Sequence, residues 1–128
     1  MRSKSYRINI TPIPWQRILR KDSRFYDGIT RDIVSFGLYL SQQHNEEPFF
    51  SNPIHIDVIF YMPFIKLVRD RDASLYHSGA PYLENLYKFL LDAMKDIVIA
   101  DDRVICSLSL KKVYDKEPRT EITITEIV

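Results

Sequence analysis

Cysteine is almost absent from this chain, whose 128 residues include Cys106 alone. One cysteine cannot form a disulfide framework or a cysteine zinc site within a single chain. Long apolar runs are missing too, since no stretch approaches the roughly 20 apolar residues that cross a bilayer. The first residues also do not resemble a signal peptide. We therefore expect a soluble, cytoplasmic protein with no membrane partner.

An excess of one charge is also lacking, since the formal net charge is +1. That value would not by itself suggest nucleic acid, because a nonspecific DNA binder usually carries a clear basic excess or a basic face. The charges are unevenly spread, however: residues 1–32 hold eight basic and three acidic residues, which leaves +5. This segment is either an ordinary solvated surface or a surface that contacts phosphates.

Length and periodicity predict one α+β domain that spans residues 1–128. Alternation of apolar and polar residues predicts strands near 6–10, 54–62, 104–110 and 121–127, and helical periodicity predicts helices over 29–43 and from Pro81 onward. We expect a single mixed or largely antiparallel sheet covered by these two main helices, with the last two strands forming a hairpin. Residues 15–27 show no period and are predicted to form a long loop.

The most informative runs are PYLENLYK at 81–88, LLDAM at 90–94 and ADD at 100–102. Cutting a phosphodiester with water needs a nucleophile formed near neutral pH and neutralised charge on the phosphate oxygens. Carboxylates that hold Mg²⁺ supply both, and a nearby lysine can offset charge that develops at phosphorus. Glu84, Asp101 and Asp102 are the candidate ligands. Lys88, four residues after Glu84, would share its helical face.

At these residues the chain resembles the RusA-like Holliday junction resolvases, whose motif reads roughly Pro-Asp-Leu-Asp-Asn-Leu, then Lys, then Leu-Asp-Ala and a paired Asp-Asp. The resemblance implies a metal bound by both aspartates of the first block and by the second aspartate of the pair, with the lysine as a catalytic partner. Those roles fall on Tyr82, Glu84, Asp102 and Lys88. Tyr82 departs from the pattern, because a phenol is a neutral and weak metal ligand at pH 7. Glu84 is longer by one methylene, and Val104 stands where the family usually has glutamine.

Each candidate also has an ordinary structural interpretation. Glu84 and Lys88 could form a surface salt bridge worth roughly 0.3–0.5 kcal/mol, and the Asp101-Asp102 pair could be a turn. Asp92, which the family motif also contains, could be a structural helix residue. A loop can also deliver a ligand that a helix has lost. The candidates to replace the ligand missing at Tyr82 are Asp70, Asp72 and His77.

The resemblance implies a structure-selective endodeoxyribonuclease that resolves branched DNA in recombination and repair, with Mg²⁺ or alternatively Mn²⁺ as cofactor and a homodimer as the working form. Phosphate contacts are predicted from Arg17, Arg20, Lys21, Arg24, Lys111 and Lys112. The alternative is a module that keeps the fold and has lost catalysis, binding DNA or protein, in which Tyr82 stacks on a base or packs at the dimer interface. A third interpretation is an unrelated α+β enzyme in which the acids are coincidental.

Overall fold

The computed structural model of the chain describes residues 1–15, 23–64 and 76–127, and it describes residues 23–29 through their backbone. The elements, in chain order, are β1 (Ser3–Ile8), α1 (Ser23–His44), β2 (Ile54–Met62), α2 (Leu83–Met94), β3 (Ile105–Tyr114) and β4 (Arg119–Glu126). A single 3₁₀ turn, Asp102–Val104, leads into β3.

The four strands form one mixed sheet in the order β1-β4-β2-β3. β2 and β3 are parallel, whereas β4 is antiparallel to both β1 and β2. A parallel pair cannot be joined by a tight turn, and here α2 belongs to the crossover between β2 and β3. The predicted fold class, a mixed sheet with two helices, is confirmed.

The predicted hairpin of the last two strands is wrong. β2 lies between β3 and β4, so that Val58 faces Leu110 of β3 on one side and Ile122 of β4 on the other. The alternation of apolar residues marks each strand, but it carries no information about which strand lies beside it. The crossover through α2 places β3 at the outer edge, and β4 occupies the position between β2 and β1.

Apolar side chains on one face of the sheet and on both helices form a shared core. β2 supplies every second residue to it, and the rings of Phe36 in α1 and Phe89 in α2 meet edge to face with centroids 5.7 Å apart. His55 and Asp57 lie on the other face, as predicted, and are only half-buried. The helices therefore cover one face of the sheet, and the polar face remains accessible in the described part of the chain.

α1 begins earlier than predicted. Residues 23–27 were predicted to belong to a loop, and they form the first turns of α1 instead. The helix was predicted from the spacing of Ile33, Phe36 and Leu40, which pack in or against the core. The spacing of core residues does not reveal helical turns that come before the first of them. Trp15, at the start of the predicted loop, is non-helical as expected.

A side chain of α1 covers the outer edge of β1 at Arg7. The amide of Gln43 accepts a hydrogen bond from the backbone N–H of Arg7 and donates one to its carbonyl oxygen, both at 2.7 Å. The glutamine amide thus occupies the positions that a neighbouring strand would use, which protects an edge that could otherwise pair with another chain.

Candidate functional site

The first turn of α2 carries the start of the acidic motif. Tyr82 occupies the N-cap position in an extended conformation, with φ −65° and ψ 142°, and its side chain makes no capping hydrogen bond. Tyr82 is 74% exposed. An N-cap side chain normally accepts from the orphan N–H groups of the first turn, which a phenol at this position does not do. The tyrosine instead projects into solvent beside the motif.

Glu84 and Lys88 are both exposed on α2, as predicted from their spacing. No ion pair joins their two side chains in the structure. The Lys88 ammonium lies 5.2 Å from the centroid of the Trp15 ring, which is within the range of a cation–π contact. Trp15 is fixed in turn, because its backbone N–H donates to the carbonyl oxygen of Asn85 at 2.8 Å.

Asp101 is held by the turn that follows the motif helix. Its Oδ1 accepts from the backbone N–H of Arg103 at 2.9 Å, and its Oδ2 lies 3.3 Å from the Arg103 guanidinium. The pKa of the Asp101 carboxyl lies below its usual value, chiefly because that backbone N–H bonds to the charged form. Arg103 therefore contacts both oxygens of the Asp101 carboxylate.

Asp102 has a cation of its own, which the sequence analysis did not identify. Lys95, the C-cap of α2, places its ammonium 3.6 Å from Asp102 Oδ2, with both side chains close to half-exposed. Exposed pairs of this kind contribute little to stability. A lysine one residue beyond a helix was a weak sequence signal, since such lysines are common at helix ends.

The charge of Asp102 acts on Tyr87 of α2. Burial raises the pKa of its phenol, and the charge of Asp102 raises it further. Glu84 stands three residues before Tyr87, so the two share a side of the helix. α2 has 12 residues and therefore rises about 18 Å, with Glu84 in its first turn and Asp102 beyond its end. Within residues 1–15, 23–64 and 76–127, no group of three or more His, Cys, Asp or Glu side chains could hold a metal.

The structure thus brings Asp101 and Asp102 together and leaves Glu84 outside a joint ligand group. Mg²⁺ is usually held by one or two carboxylates and completes its shell with waters and substrate phosphates. The Asp101-Asp102 pair fits that requirement as a minimal donor set, because both carboxylates are reachable from solvent and adjacent. Asp70 and Asp72 lie outside the described residues. His77 is 8% exposed, with its Nδ1 lacking a hydrogen-bond partner among them.

The two predicted phosphate-binding lysines of β3 point in opposite directions. Lys111 is exposed on the polar face of the sheet. Lys112 reaches the opposite way, and its ammonium donates to the carbonyl oxygens of Gly79 at 2.5 Å and Pro81 at 2.6 Å. Burial lowers the pKa of Lys112. The predicted contacts of Arg17, Arg20 and Lys21 lie outside the described residues, and Arg24 falls in the first turns of α1.

Two surface properties bear on partners. No helix in the described ranges has both the length and the apolar character needed to cross a membrane. α1 carries an exposed apolar patch, which we call the outer patch of α1, formed by Val34, Leu38 and Tyr39 with exposures of 56%, 60% and 49%. Val34 and Leu38 are one turn apart and therefore adjacent on the helix surface.

Comparison with known proteins matches this chain to a family model and to a bacterial protein. The family model described as endodeoxyribonuclease RusA matches residues 30–125. This range includes the core residues of both helices, the acidic motif and all strands except β1. An uncharacterized protein of Bacillus subtilis (strain 168), YqaN, is 28% identical over 96 residues, which cover 69% of this chain and 68% of that protein.

Proposed function

This chain belongs to the RusA endodeoxyribonuclease family, and from that premise we propose that it is a structure-selective endonuclease that cuts branched DNA at Holliday junctions. The observation that carries the proposal is the family match over residues 30–125, which include the acidic motif with its consecutive residues Asp101 and Asp102. A role in recombination and repair follows from this substrate. The predicted cytoplasmic location would follow too, and it stays a prediction.

We infer that Asp102 and Asp101 hold a divalent cation, Mg²⁺ or alternatively Mn²⁺. When bound, the ion would neutralise phosphate charge and lower the pKa of a bound water. We also propose that Glu84, exposed in the first turn of α2, is a further ligand of that ion when the DNA is bound. Lys88, fixed over Trp15, would place a positive charge beside the phosphate oxygens.

The binding surface for DNA would combine Lys111 with the basic residues of the first 32 positions. Residues 1–32 carry a net charge of +5, and Lys111 is exposed on the polar face of the sheet. Neutralisation of phosphates by such residues supplies most of the sequence-independent affinity for DNA. Arg17, Arg20, Lys21 and Arg24 remain proposed contacts on this basis.

We further propose that the working form is a homodimer joined through the outer patch of α1. Two large aliphatic side chains and a tyrosine side by side on a helix are typical of a surface that another protein covers. A four-way junction must be cut on two strands related by a two-fold axis, which a symmetric dimer with two sites can match.

A synthetic four-way junction with Mg²⁺ or Mn²⁺ tests the proposed reaction. We expect cleavage by the parent and a loss of more than about 100-fold in Glu84→Ala and Asp102→Ala, since even residues behind a metal ligand contribute 10- to 100-fold. Asp32→Ala, an exposed carboxylate on α1, is the matched control and should cut like the parent. Equal cutting by Asp102→Ala and the parent would contradict the proposed site.

The second candidate function is a module that binds branched DNA without cutting it. It is favoured by the exposed Tyr82 at the first ligand position and by the finding that, among the described residues, Glu84 does not join the acidic pair in a group of three metal-binding side chains. In that case the parent should bind the junction and leave it intact at every concentration of Mg²⁺ or Mn²⁺. Failure to bind any DNA would instead favour an unrelated activity.

A further inference from the structure

Lys112 makes contacts that a phosphate-binding lysine would not need. An ammonium has three N–H donors, and two of those of Lys112 go to the carbonyl oxygens of Gly79 and Pro81 at 2.5 and 2.6 Å. Its backbone carbonyl accepts from the N–H of His77 at 2.9 Å. One residue of β3 therefore holds the approach to α2 at three points.

These contacts tie the segment that directly precedes α2 to β3. Pro81 directly precedes Tyr82, the N-cap, and Glu84 follows two residues later. A cation close to a helix N-terminus is disfavoured by the helix dipole, and the loss of hydration at Lys112 opposes its charge as well. The two carbonyl contacts oppose both effects and occupy two of the three donors of the ammonium.

We propose that Lys112 is a positioning residue of the proposed nuclease site: it clamps residues 77–81 to β3 and so sets where the first turn of α2 presents Glu84 and Lys88. This inference rests on the proposed function for its catalytic consequence, although the clamp itself does not. Lys111 supplies the phosphate contact at this end of β3, and Lys112 does not.

Trp15 provides a readout of the clamp that needs neither DNA nor metal. It is the chain's one tryptophan. Its backbone N–H donates to the carbonyl oxygen of Asn85 in the first turn of α2, and its ring lies under the Lys88 ammonium. Movement of that turn should change the access of acrylamide to the indole ring. We expect stronger quenching in Lys112→Met than in the parent, and no change in the matched control Lys111→Met.

Binding and cleavage of a four-way junction separate a clamp from a phosphate contact. Lys111→Met should lower the slope of log affinity against log salt by about 1, as the loss of one phosphate contact does. Lys112→Met should keep the parent's slope and affinity while its single-turnover cleavage rate falls about 100-fold, since a 1 Å misplacement of reacting groups costs that much.

A chemical rescue isolates the ammonium from the packing of the side chain. In a Cys106→Ser background, which removes the exposed native thiol, Lys112→Cys is alkylated in denaturant and refolded. Alkylation with 2-bromoethylamine restores an ammonium at the length of lysine, and 1-bromopropane gives a neutral chain of equal length. The aminoethyl protein should recover the parent's quenching and cleavage rate, and the propyl protein should not.

Several results would overturn the clamp. They are a salt slope lowered by about 1 in Lys112→Met, unchanged quenching and cleavage in that variant, or equal rescue by the propyl chain. If the parent binds junctions without cutting them, the proposed cleavage is wrong. The quenching of Trp15 and the salt slope still decide whether Lys112 holds the turn.

Discussion

At the scale of single residues, Tyr82 lies at a position that favours a carboxylate for two reasons. It is the N-cap of α2 without a capping hydrogen bond, and it stands at the first ligand position of the family motif. Aspartate and asparagine cap helices about equally well, because either side-chain oxygen can accept from the first-turn N–H groups. Only aspartate adds a charge that a divalent cation can use.

We predict that Tyr82→Asp and Tyr82→Asn both raise the free energy of unfolding by roughly 0.5–1 kcal/mol, measured by urea denaturation. Tyr82→Asp alone should increase the affinity for Mn²⁺, measured by the paramagnetic resonance of the free ion, and should speed junction cleavage. A gain in affinity that Tyr82→Asn shares would show that the helix cap, and not the carboxylate, is responsible.

A second residue-scale feature is the buried pair of Tyr6 and His44. The Tyr6 hydroxyl lies 2.6 Å from His44 Nδ1, and Nε2 lies 3.2 Å from the carbonyl oxygen of Pro48. Because a carbonyl only accepts, Nε2 carries the proton and Nδ1 accepts from the tyrosine. His44 is 3% exposed, and burial lowers its pKa. Burial also lowers the pKa of His77, with the charge of Lys112 as a further cause.

We predict that stability falls as the pH drops from about 7 to 5. Above an ordinary histidine pKa of about 6.5, both imidazoles are neutral in the folded and unfolded states, and their contribution is constant. Below it, the unfolded chain takes up protons that the native state resists, at a cost of up to about 1.4 kcal/mol per pH unit for each histidine. Urea unfolding between pH 5 and 7.5 measures the slope. His44→Gln should remove its share of that slope, and an unchanged slope in this variant would contradict the account.

The limits of sequence reasoning are also visible at single residues. Spacing predicted that Glu84 and Lys88 share an exposed helical face, and this is confirmed. Spacing could not show that Lys88 lies over Trp15, which is 73 positions earlier in the numbering of the chain. Nor could it separate Lys111 from Lys112, because adjacent strand residues point to opposite faces and the sequence does not show which face has carbonyl oxygens within reach.

At the scale of elements, the periods of two and 3.6 residues located most of the secondary structure. β2 was predicted at 54–62 and lies there, because every second residue of a central strand enters the core. Strand order was not predictable in the same way. The placement of β4 between β1 and β2 depends on two ladders that no local pattern encodes, and this is why the hairpin prediction failed.

The closure of the β1 edge by Gln43 yields an element-scale prediction. Gln43→Ala removes two 2.7 Å hydrogen bonds to the backbone of Arg7. Water can replace them at an exposed edge, so we expect a loss of only about 1 kcal/mol in the free energy of unfolding. The freed edge can pair with another chain, and we expect concentration-dependent aggregation in light scattering.

Gln42→Ala is the matched control for that experiment, since Gln42 is the exposed neighbour of Gln43 on α1. It should aggregate no faster than the parent at equal stability. If both variants aggregate faster than the parent, the cause is the loss of a polar side chain from the surface of α1. The edge of β1 would then not be the cause.

At the scale of the whole molecule, the fold separates its surfaces by task. The helices cover one face of the sheet, the acidic motif runs from the start of α2 to the turn after it, and the outer patch of α1 lies on the solvent side of the other helix. Sequence resemblance implied a homodimer without showing where two copies would meet. The structure supplies a candidate surface. The helical period alone does not show whether Val34 and Leu38 are covered by the rest of the chain, and the structure shows that they are exposed.

The proposed dimer predicts that Leu38→Glu yields a monomer in sedimentation velocity. A two-fold interface would bury this residue from both copies, and an unpaired buried carboxylate costs far more than a lost apolar contact. Leu108→Glu makes the same change at an exposed leucine of β3 and should remain dimeric. With one site at a time on the junction, the Leu38→Glu monomer should accumulate nicked junctions where the parent produces paired cuts. Retention of the dimer by Leu38→Glu, or dissociation of Leu108→Glu instead, would move the interface away from α1.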